Sequence, residues 1–412
     1  MEHPRSGAAA APPFDVCVVG LGYVGLPTAA VLATQGLRVA GVDLRDDVVR
    51  TINAGAIHIV EPELDALVRA AVAAGTLGAF AEPQPAHTFL ICVPTPLGPD
   101  HGPGLDHVRD ATAALLPVLR PGNLVVLEST VPPGTTRDVV AAQVAARGFV
   151  PGEDIFVAHA PERVLPGAVI REVVENARVV GGLTEACTDR CAAFYERFVR
   201  GEVLRTRADT AELCKLAENA FRDVNIAYAN ELATICQHLG LDVWEVIELA
   251  NRHPRVQILR PGPGVGGHCI AVDPWFIVAS APEHAPLIRA ARAVNDARPG
   301  QVVDAVRRLA DRFKRARVAL LGLSYKPDID DLRESPALEV ARRLHDEGAV
   351  DLLLVEPHLE RSPIDGLPLH PAERALGVAD IAVILVAHRA FRRLPRDLFL
   401  GPAVIDTVGL LK

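Results

Sequence analysis

Gly20, Gly22 and Gly25 follow the run "VCVV" (16–19) in the spacing G-x-G-x-x-G and open the alanine-rich stretch "LPTAAVLATQ" (26–35). The valine-rich run reads as a buried strand and the alanine-rich one as a helix, so the glycines occupy a strand-to-helix turn. Gly20 permits the turn, Gly22 lets the backbone approach a pyrophosphate, and Gly25 lets the helix pack closely on the strand. The helix N-terminus then faces the phosphate charge. Asp43 ends the next strand, "RVAGVD" (38–43). A carboxylate there accepts hydrogen bonds from a ribose diol and repels a 2′-phosphate, which favours NAD over NADP, with Arg45 nearby as an opposing charge. The alternative is the same core without a cofactor.

Further strands are expected in "TFLICVP" (88–94) and "NLVVLEST" (123–130), alternating with helices, which predicts a parallel α/β sheet. The rhythm changes near residue 206. Residues 208–240 contain neither proline nor glycine before Gly240 and predict one long helix, with Asp209 and Glu212 as a capping box at its start. More helix is expected at 242–251 and 286–296. The α/β pattern returns with "RVALLGLSYKP" (317–327), a helix over 336–348 and "VDLLLVEP" (350–357). "LLGLSY" (320–325) repeats "VVGLGY" (18–23) without the later glycines, so the second copy is expected to hold a different ligand. The fold class that results is α/β, with two Rossmann-like, doubly wound parallel-sheet domains joined by a long central helix and helical bridge. The expected domains are 1–205, opening on a disordered leader over 1–13, then 206–300 and 301–412.

The 412 residues carry a net charge of −9 and are 50% apolar, which allows several cores and argues against an electrostatic nucleic-acid binder. No apolar stretch reaches the roughly 18 residues of a membrane helix. The seven cysteines are scattered and odd in number, as in a cytoplasmic chain without a disulfide framework. Cys187 and Cys191 are explained by one turn of helix rather than by a metal, and no metal site is expected.

The chemistry points to "PGPGVGGHCIAVDPWF" (261–276), where Cys269 lies in a glycine-rich loop and Asp273 follows one helical turn later. A thiolate is a strong nucleophile, and such a loop lets a substrate carbon come within bonding distance. Lys215 and Asn219 share a face of the long helix among apolar neighbours, where they can donate to a developing oxyanion. Glu162 follows a proline after another strand. Taken singly, Lys215 reads more readily as a snorkelling surface residue and Cys269 as a small inert hydrophobe. His268 has a structural reading, or it lowers the pKa of the neighbouring thiol.

Taken together, "GLGYVGLPTA", "VPTP", "EST", "APER", "ELCKLAENAFR", "PGPGVGGHCIAVDP" and "GLSYKPDIDDLRESPA" occur in the order found in the UDP-glucose/GDP-mannose dehydrogenase family, which the chain resembles over almost its whole length. The resemblance implies a four-electron oxidation of a nucleotide-sugar C6 alcohol to a carboxylate, with two NAD+ used in turn. Cys269 would hold the aldehyde as a thiohemiacetal and then a thioester. Lys215 and Asn219 would stabilise oxyanions, Asp273 and Thr130 would hold the hydrolytic water, and Glu162 would act on hydrolysis. The implied cofactor residues are Gly20, Gly22, Tyr23, Val24, Gly25, Asp43, Thr95, Thr130 and Arg333. On the substrate side the resemblance adds Arg163, Val164, Arg222, Gly266, Tyr325 and Lys326 to Glu162, Lys215 and Asn219. Arg255 would reach the partner's substrate across a homodimer formed by the central helices, or else be a surface arginine. The segments "TINAGAIHIVEPELD", "NRHPRVQILRPGPGVGGHCIAVDPWFIV" and "LIRAARAVND" favour UDP-N-acetyl-D-mannosamine as the sugar, with UDP-N-acetylglucosamine or another nucleotide sugar as the alternative. An idle NAD-binding scaffold is the reading from another class. "PERVLPG" departs from the family in placing Pro166 where a second glutamate is usual, so that glutamate's role does not transfer. "DIDD" (328–331) is expected to order its loop rather than bind metal.

Overall fold

Valine-rich strands buried on both faces need helices on both sides, and that demand organises each half of the chain. The structure, a computed structural model, describes residues 12–59, 61–98, 100–164, 167–267 and 269–412. The leader over 1–11, Pro166 and His268 lie outside the described residues. Two compact units divide the chain, Met1–Leu216 and Ala217–Lys412.

The first unit is built on strands β1 (Phe14–Val19), β2 (Val39–Val42), β3 (Leu77–Phe80), β4 (Ala86–Ile91), β5 (Leu124–Leu127), β6 (Phe156–His159), β7 (Arg178–Gly182) and β8 (Val203–Arg207). They form one sheet in the order β3-β2-β1-β4-β5-β6-β7-β8. Along β1, Val16 and Val18 enter one core while Cys17 and Val19 enter the other, so the sheet is covered on both faces. Helix α1 (Gly25–Thr34) follows β1 directly, α2 (Val169–Glu175) lies between β6 and β7, and α3 (Glu185–Tyr195) carries both Cys187 and Cys191, buried one turn apart.

One pair breaks the expected parallel pattern. β6 and β7 are antiparallel, with Ala158 opposite Gly182 and His159 opposite Gly181. Continuing that register brings Arg178, at the start of β7, level with Glu162 just beyond β6. The two side chains form a buried ion pair, Arg178 Nη1 to Glu162 Oε2 at 2.7 Å. A parallel β7 would begin at the opposite end of the sheet from Glu162.

Helix α4 (Ala208–Leu239) matches the expected long helix, and the division between the two units falls within it. Its start differs from the expected capping box. The Glu212 carboxylate accepts from Gly134 N (2.5 Å), Thr136 N (2.7 Å) and Thr136 Oγ1 (2.6 Å), at the head of the π-helical turn Thr136–Ala141. Three donors from a distant helix start compete successfully with its own helix's N–H groups.

The second unit continues with α5 (Val243–Ala250), α6 (Asp273–Ser280), α7 (Pro286–Ala310) and α8 (Pro336–Glu347). Strands β9 (Arg317–Leu321), β10 (Asp351–Val355), β11 (Ile381–Ile384) and β12 (Ala403–Asp406) form a parallel sheet in the order β10-β9-β11-β12. Its faces again alternate, with Val318 and Leu320 in one core and Ala319 and Leu321 in the other. Helix α7 runs well past the expected end at 296, through Pro299 and Gly300. Ala291, Arg292, Asn295, Arg298, Val302, Val303 and Val306 are buried at helical spacing, and that packing overrides the local Pro-Gly break. Among the described residues no helix is long and apolar enough to cross a membrane.

The β1–α1 turn shows why its glycines differ. A Cβ on Gly25 would sit 1.8 Å from the Gly20 carbonyl oxygen, whereas a Cβ on Gly22 would meet nothing within 4 Å. Gly20 has φ +94°, and its Cβ would meet the Cys92 carbonyl oxygen at 2.7 Å. Gly25→Ala is therefore expected to destabilise the fold by at least about 3 kcal/mol, since backbone must move to admit the methyl. Gly22→Ala should stay within about 0.5 kcal/mol of the parent while weakening dinucleotide binding about tenfold. Urea unfolding and cofactor titration of the two variants check this.

Candidate active site

In the first unit, the end of β2 presents Asp43 to the glycine turn. Its Oδ2 accepts from Leu21 N at 3.2 Å and its Oδ1 from Arg45 N at 3.0 Å. These bonds fix a carboxylate beside the open space over Gly22, at the head of α1. The residues fit a dinucleotide: clear backbone for the diphosphate, a helix N-terminus, and an oriented acceptor for a ribose diol. Tyr23 is 44% exposed and Val24 caps α1. Thr95 Oγ1 donates to the Thr130 carbonyl at 2.7 Å, tying together two residues expected at the cofactor.

Glu162 lies 6% exposed beyond β6. Its Oε1 accepts from Arg163 N at 2.7 Å and its Oε2 from Arg178 Nη1. Arg178 Nη2 also donates to Glu128 Oε1 at 2.9 Å. Glu128 in turn receives the Tyr195 hydroxyl and the Cys92 thiol, the latter at 3.2 Å. Burial pushes the Glu128 carboxyl above its ordinary value, opposed by the Arg178 charge. Both Glu162 oxygens are thus engaged in holding the loop that carries Arg163 and Val164. Arg163 Nη1 reaches the Ala177 carbonyl at 3.3 Å, and Val164 packs on the core. Beyond them, Glu61 takes Gly167 N and Val169 N, both at 2.9 Å, and so caps the start of α2. The sequence reading had Glu61 only inside the quoted "IHIVEPELD"; no local pattern ties it to residues so far along the chain.

In the second unit, Cys269 is exposed and stands just before α6. Its carbonyl accepts from Asp273 N at 2.9 Å, so the two residues are one helical turn apart. Asp273 is 3% exposed, and its Oδ2 accepts from the Asn219 amide. Asn219 Oδ1 accepts from Arg222 Nη2, which completes a line from α4 to the start of α6. An amide nitrogen carries two N–H donors, and the bond to Asp273 uses one of them. Lys215 stands one turn before Asn219 on α4, half-buried.

The loop that carries Cys269 is fastened from behind. Gly262 N donates to Asn230 Oδ1 at 2.8 Å, and Arg298 Nε donates to the Gly262 carbonyl at 3.1 Å. Asn230 Nδ2 reaches Asn295 Oδ1 at 2.9 Å, and Asn295 Nδ2 reaches Asp223 Oδ1 at 2.8 Å. None of these partners was singled out from sequence. In front, a Cβ on Gly266 would lie 2.3 Å from the Glu334 carbonyl oxygen, and one on Gly267 would lie 2.7 Å from the Tyr325 ring. The thiol loop and the loop after β9 therefore meet through glycine backbone.

The loop after β9 repeats the glycine turn of the first unit with a different outcome. Gly322 has φ +95°, as Gly20 has +94°, and Gly322 N donates to Val355 O at 2.8 Å, as Gly20 N does to Val42 O at 2.8 Å. Glu356 stands where Asp43 stands. Its Oε2 accepts from Leu323 N at 2.7 Å and Ser324 N at 3.1 Å, and it faces His388 Nε2 at 3.2 Å. Glu356 is 4% exposed, so its carboxylate orders the loop from inside instead of meeting a ribose. Asp328 Oδ1 takes Arg389 N and its Oδ2 takes Arg389 Nε, while Asp328 N donates to His388 Nδ1 at 2.9 Å. Ligand atoms of Asp328, His358 and His388 lie within 4.8 Å of one another. Both His388 nitrogens and both Asp328 oxygens already have protein partners, so the cluster reads as loop order. Lys326 is exposed, Tyr325 half-buried, and Arg333 forms a paired contact with Asp331, Nη2 to Oδ2 at 2.6 Å. Arg255 is exposed, with its backbone N donating to His253 Nδ1 at 3.3 Å.

Comparison with known proteins agrees with this layout. Residues 14–199 match the NAD binding domain, 209–297 the central domain and 319–412 the UDP binding domain of the UDP-glucose/GDP-mannose dehydrogenase family. An NDP-N-acetyl-D-galactosaminuronic acid dehydrogenase of Ralstonia nicotianae is 55% identical over 404 residues, 96% of each chain. A UDP-N-acetyl-D-mannosamine dehydrogenase of Yersinia pestis is 50% identical over 413 residues, 96% of this chain and 98% of the other. The solved UDP-N-acetyl-mannosamine dehydrogenase of S. aureus superposes with a TM-score of 0.88 at 41% identity, covering 96% of this chain and 95% of that one. With a dinucleotide turn, a thiol loop and an ordered second Rossmann-like loop all in place, the chain belongs to the UDP-glucose/GDP-mannose dehydrogenase family of NAD-dependent nucleotide-sugar dehydrogenases.

Proposed function

We propose that the protein oxidises C6 of UDP-N-acetyl-D-mannosamine to the carboxylate through a thioester on Cys269. The observation that carries the reading is the pairing of an exposed thiol with a buried carboxylate one helical turn away, the carboxylate held by the Asn219 amide. NAD+, when bound at the β1–α1 turn, supplies the hydride acceptor for each of two oxidations in succession. Asp43 and the open backbone at Gly22 orient it, and Thr95 and Thr130 close the same end of the sheet.

The residues of the chain have these parts. The Cys269 sulfur adds to the C6 aldehyde, and the resulting thiohemiacetal keeps that carbon bound while the cofactor is exchanged. Lys215 and the second Asn219 N–H donate to the oxyanion; one such donor is typically worth about 3 kcal/mol. After the second oxidation, Asp273 orients and deprotonates the water that attacks the thioester carbonyl. The C–S bond breaks, the departing thiolate takes the proton that Asp273 removed from the water, and the sugar acid leaves as its carboxylate, its remaining proton passing to solvent. Glu162, with both oxygens occupied, positions Arg163 and Val164 along the sugar rather than moving a proton. Tyr325, Lys326 and Gly266 hold the nucleotide sugar, with Arg222 beside Asn219, and Arg333 takes the cofactor role that the family likeness implies. A homodimer through the central helices, with Arg255 reaching the partner's site, completes the proposal. Exposed Phe221, Tyr228, Ile235 and Leu239 along α4 support such an interface.

A second reading concerns the sugar. The relative at 55% identity is named an NDP-N-acetyl-D-galactosaminuronic acid dehydrogenase, so a galacto-configured nucleotide sugar is the competitor. Both readings share the chemistry at C6 and differ in ring configuration.

Wild-type protein should reduce two NAD+ per UDP-N-acetyl-D-mannosamine consumed. Cys269→Ser should lower turnover at least about 10³-fold, because a serine hydroxyl is a far weaker nucleophile than a thiolate. One NADH per sugar from the intact enzyme would remove the thioester. The ratio of kcat/KM on the manno, galacto and gluco UDP-N-acetylhexosamines decides the sugar, and a galacto preference would replace the first reading by the second. Asp43→Ala should raise the KM for NAD+ about 10- to 100-fold, the value of hydrogen bonds to a charged acceptor, and narrow the preference over NADP+. Initial rates with each cofactor measure both effects.

A further inference from the structure

A cavity of ≈ 520 Å³ opens within the second unit, among α4, α5, α7 and β12, and none of the residues assigned above to sugar and cofactor lines it. Arg298, Arg308 and Arg312 line it, with Trp244 and Gln237. Arg298 is only 8% exposed, yet every acceptor it meets is neutral: the Gly262 carbonyl, Thr234 Oγ1 at 3.2 Å and Gln301 Oε1 at 2.8 Å. Burial alone pushes its pKa down, with no carboxylate opposing that shift. The other deeply buried arginines are treated differently. Arg178 faces Glu128 and Glu162, and Arg292 faces Asp223 and Asp296. Among the described residues, Arg308 and Arg312 join no ion pair, although neighbouring Arg307 and Arg315 do. The one carboxylate in the lining, Asp406, has its oxygens turned to the N–H groups of Val408, Leu410 and Leu411. Arg298 is thus buried without a counter-charge, and Arg308 and Arg312, both exposed, bring two more guanidiniums to the same lining.

We propose that this cavity binds a diphosphate-bearing anion, and that binding acts on the Cys269 loop through Arg298. Guanidinium forks match phosphate oxygens in pairs, and three of them balance the two or three charges of a diphosphate. The volume falls in the range of about 300–1,000 Å³ typical of small-molecule sites. The half-buried Trp244 indole, packed on the backbone of Gly409, offers a flat face for a base or sugar ring. The link to the thiol is short. The Arg298 Nε bond to the Gly262 carbonyl fixes the loop that leads to Cys269, and a charge-assisted bond to phosphate outcompetes a bond to a neutral carbonyl.

Trp244 fluorescence gives a local readout once Trp275→Phe removes the only other tryptophan, and calorimetry on the unsubstituted chain gives an independent one. Inorganic pyrophosphate and ADP are titrated in separate arms, and the double variant described next separates this site from those for cofactor and sugar. A saturable change in the micromolar range is expected, weakened at least tenfold in Arg308→Ala/Arg312→Ala, whose kcat and KM for sugar and cofactor stay at wild-type values. Tighter binding of ADP assigns the site to a nucleotide, and equal binding assigns it to the diphosphate alone. Iodoacetamide labelling of Cys269, with Cys269→Ser as blank, should change in rate at least twofold when the site fills, and not in the double variant. No saturable signal, or an equal one in the double variant, overturns the site. Binding that leaves the labelling rate unchanged overturns its action on the loop. The fluorescence, calorimetry and labelling readouts use no turnover of a particular sugar, so an error in the proposed substrate leaves them intact.

Discussion

Both chemical ends of this chain depend on backbone approaching closer than any side chain would permit. In the first unit the Gly25 α-carbon packs against the Gly20 carbonyl, which seats α1 directly on the end of β1. In the second, Gly266 and Gly267 press on Glu334 and Tyr325, which sets the thiol loop against the loop after β9. Removing a Cβ gives up helix or strand propensity of roughly 0.5–1 kcal/mol per position. What is gained is a peptide plane within reach of a phosphate or a sugar carbon. The rest of the architecture, two sheets with both faces covered, holds those few contacts still.

The two glycine turns also show how one geometry serves two ends. Gly20 and Gly322 share the same φ and the same hydrogen bond to the neighbouring strand, and an acidic residue follows in each case. Asp43 has one methylene fewer than Glu356 and remains at the surface of its turn, available to a ribose. The longer Glu356 folds back beneath its loop and is closed off by His388. A carboxylate made internal in this way cannot select a ligand, but it fixes Ser324, and with it the segment that presents Tyr325 and Lys326.

What was legible in the sequence was the placement of residues that lie near one another in the chain. The spacing of Cys269 and Asp273 is one helical turn, the spacing of Lys215 and Asn219 is another, and the glycine pattern announces its strand and helix. The repeat of the glycine turn was also visible, including its different ligand-binding character. The supporting residues were not legible, because each acts across a long stretch of chain: Glu61 on Gly167, Glu212 on Thr136, Arg178 on Glu162, Asn230 and Arg298 on Gly262. A lone glutamate or arginine in a helical or strand pattern carries no mark of which distant N–H or carboxylate it will meet. The antiparallel β7 escaped for the same reason, since its direction is tied to the ion pair at its first residue and not to its own alternation.

The three buried arginines then form a series in which counter-charge falls from two carboxylates to none. Around Arg178 two glutamates compete for one cation, and burial pushes the Glu128 carboxyl above its ordinary value against the pull of the Arg178 charge. Removing either partner of such a pair typically costs about 3–5 kcal/mol, because the other charge is stranded. Arg292 has one fully buried aspartate and one half-exposed aspartate. Arg298 relies on a peptide carbonyl, an amide and a hydroxyl. Those neutral acceptors satisfy its N–H groups without neutralising its charge, and the cavity beside it holds two more guanidiniums. A fold that supplied carboxylates for its other deeply buried arginines has left uncompensated the one that grips the loop leading to Cys269. An anion from outside is the direct way to balance it.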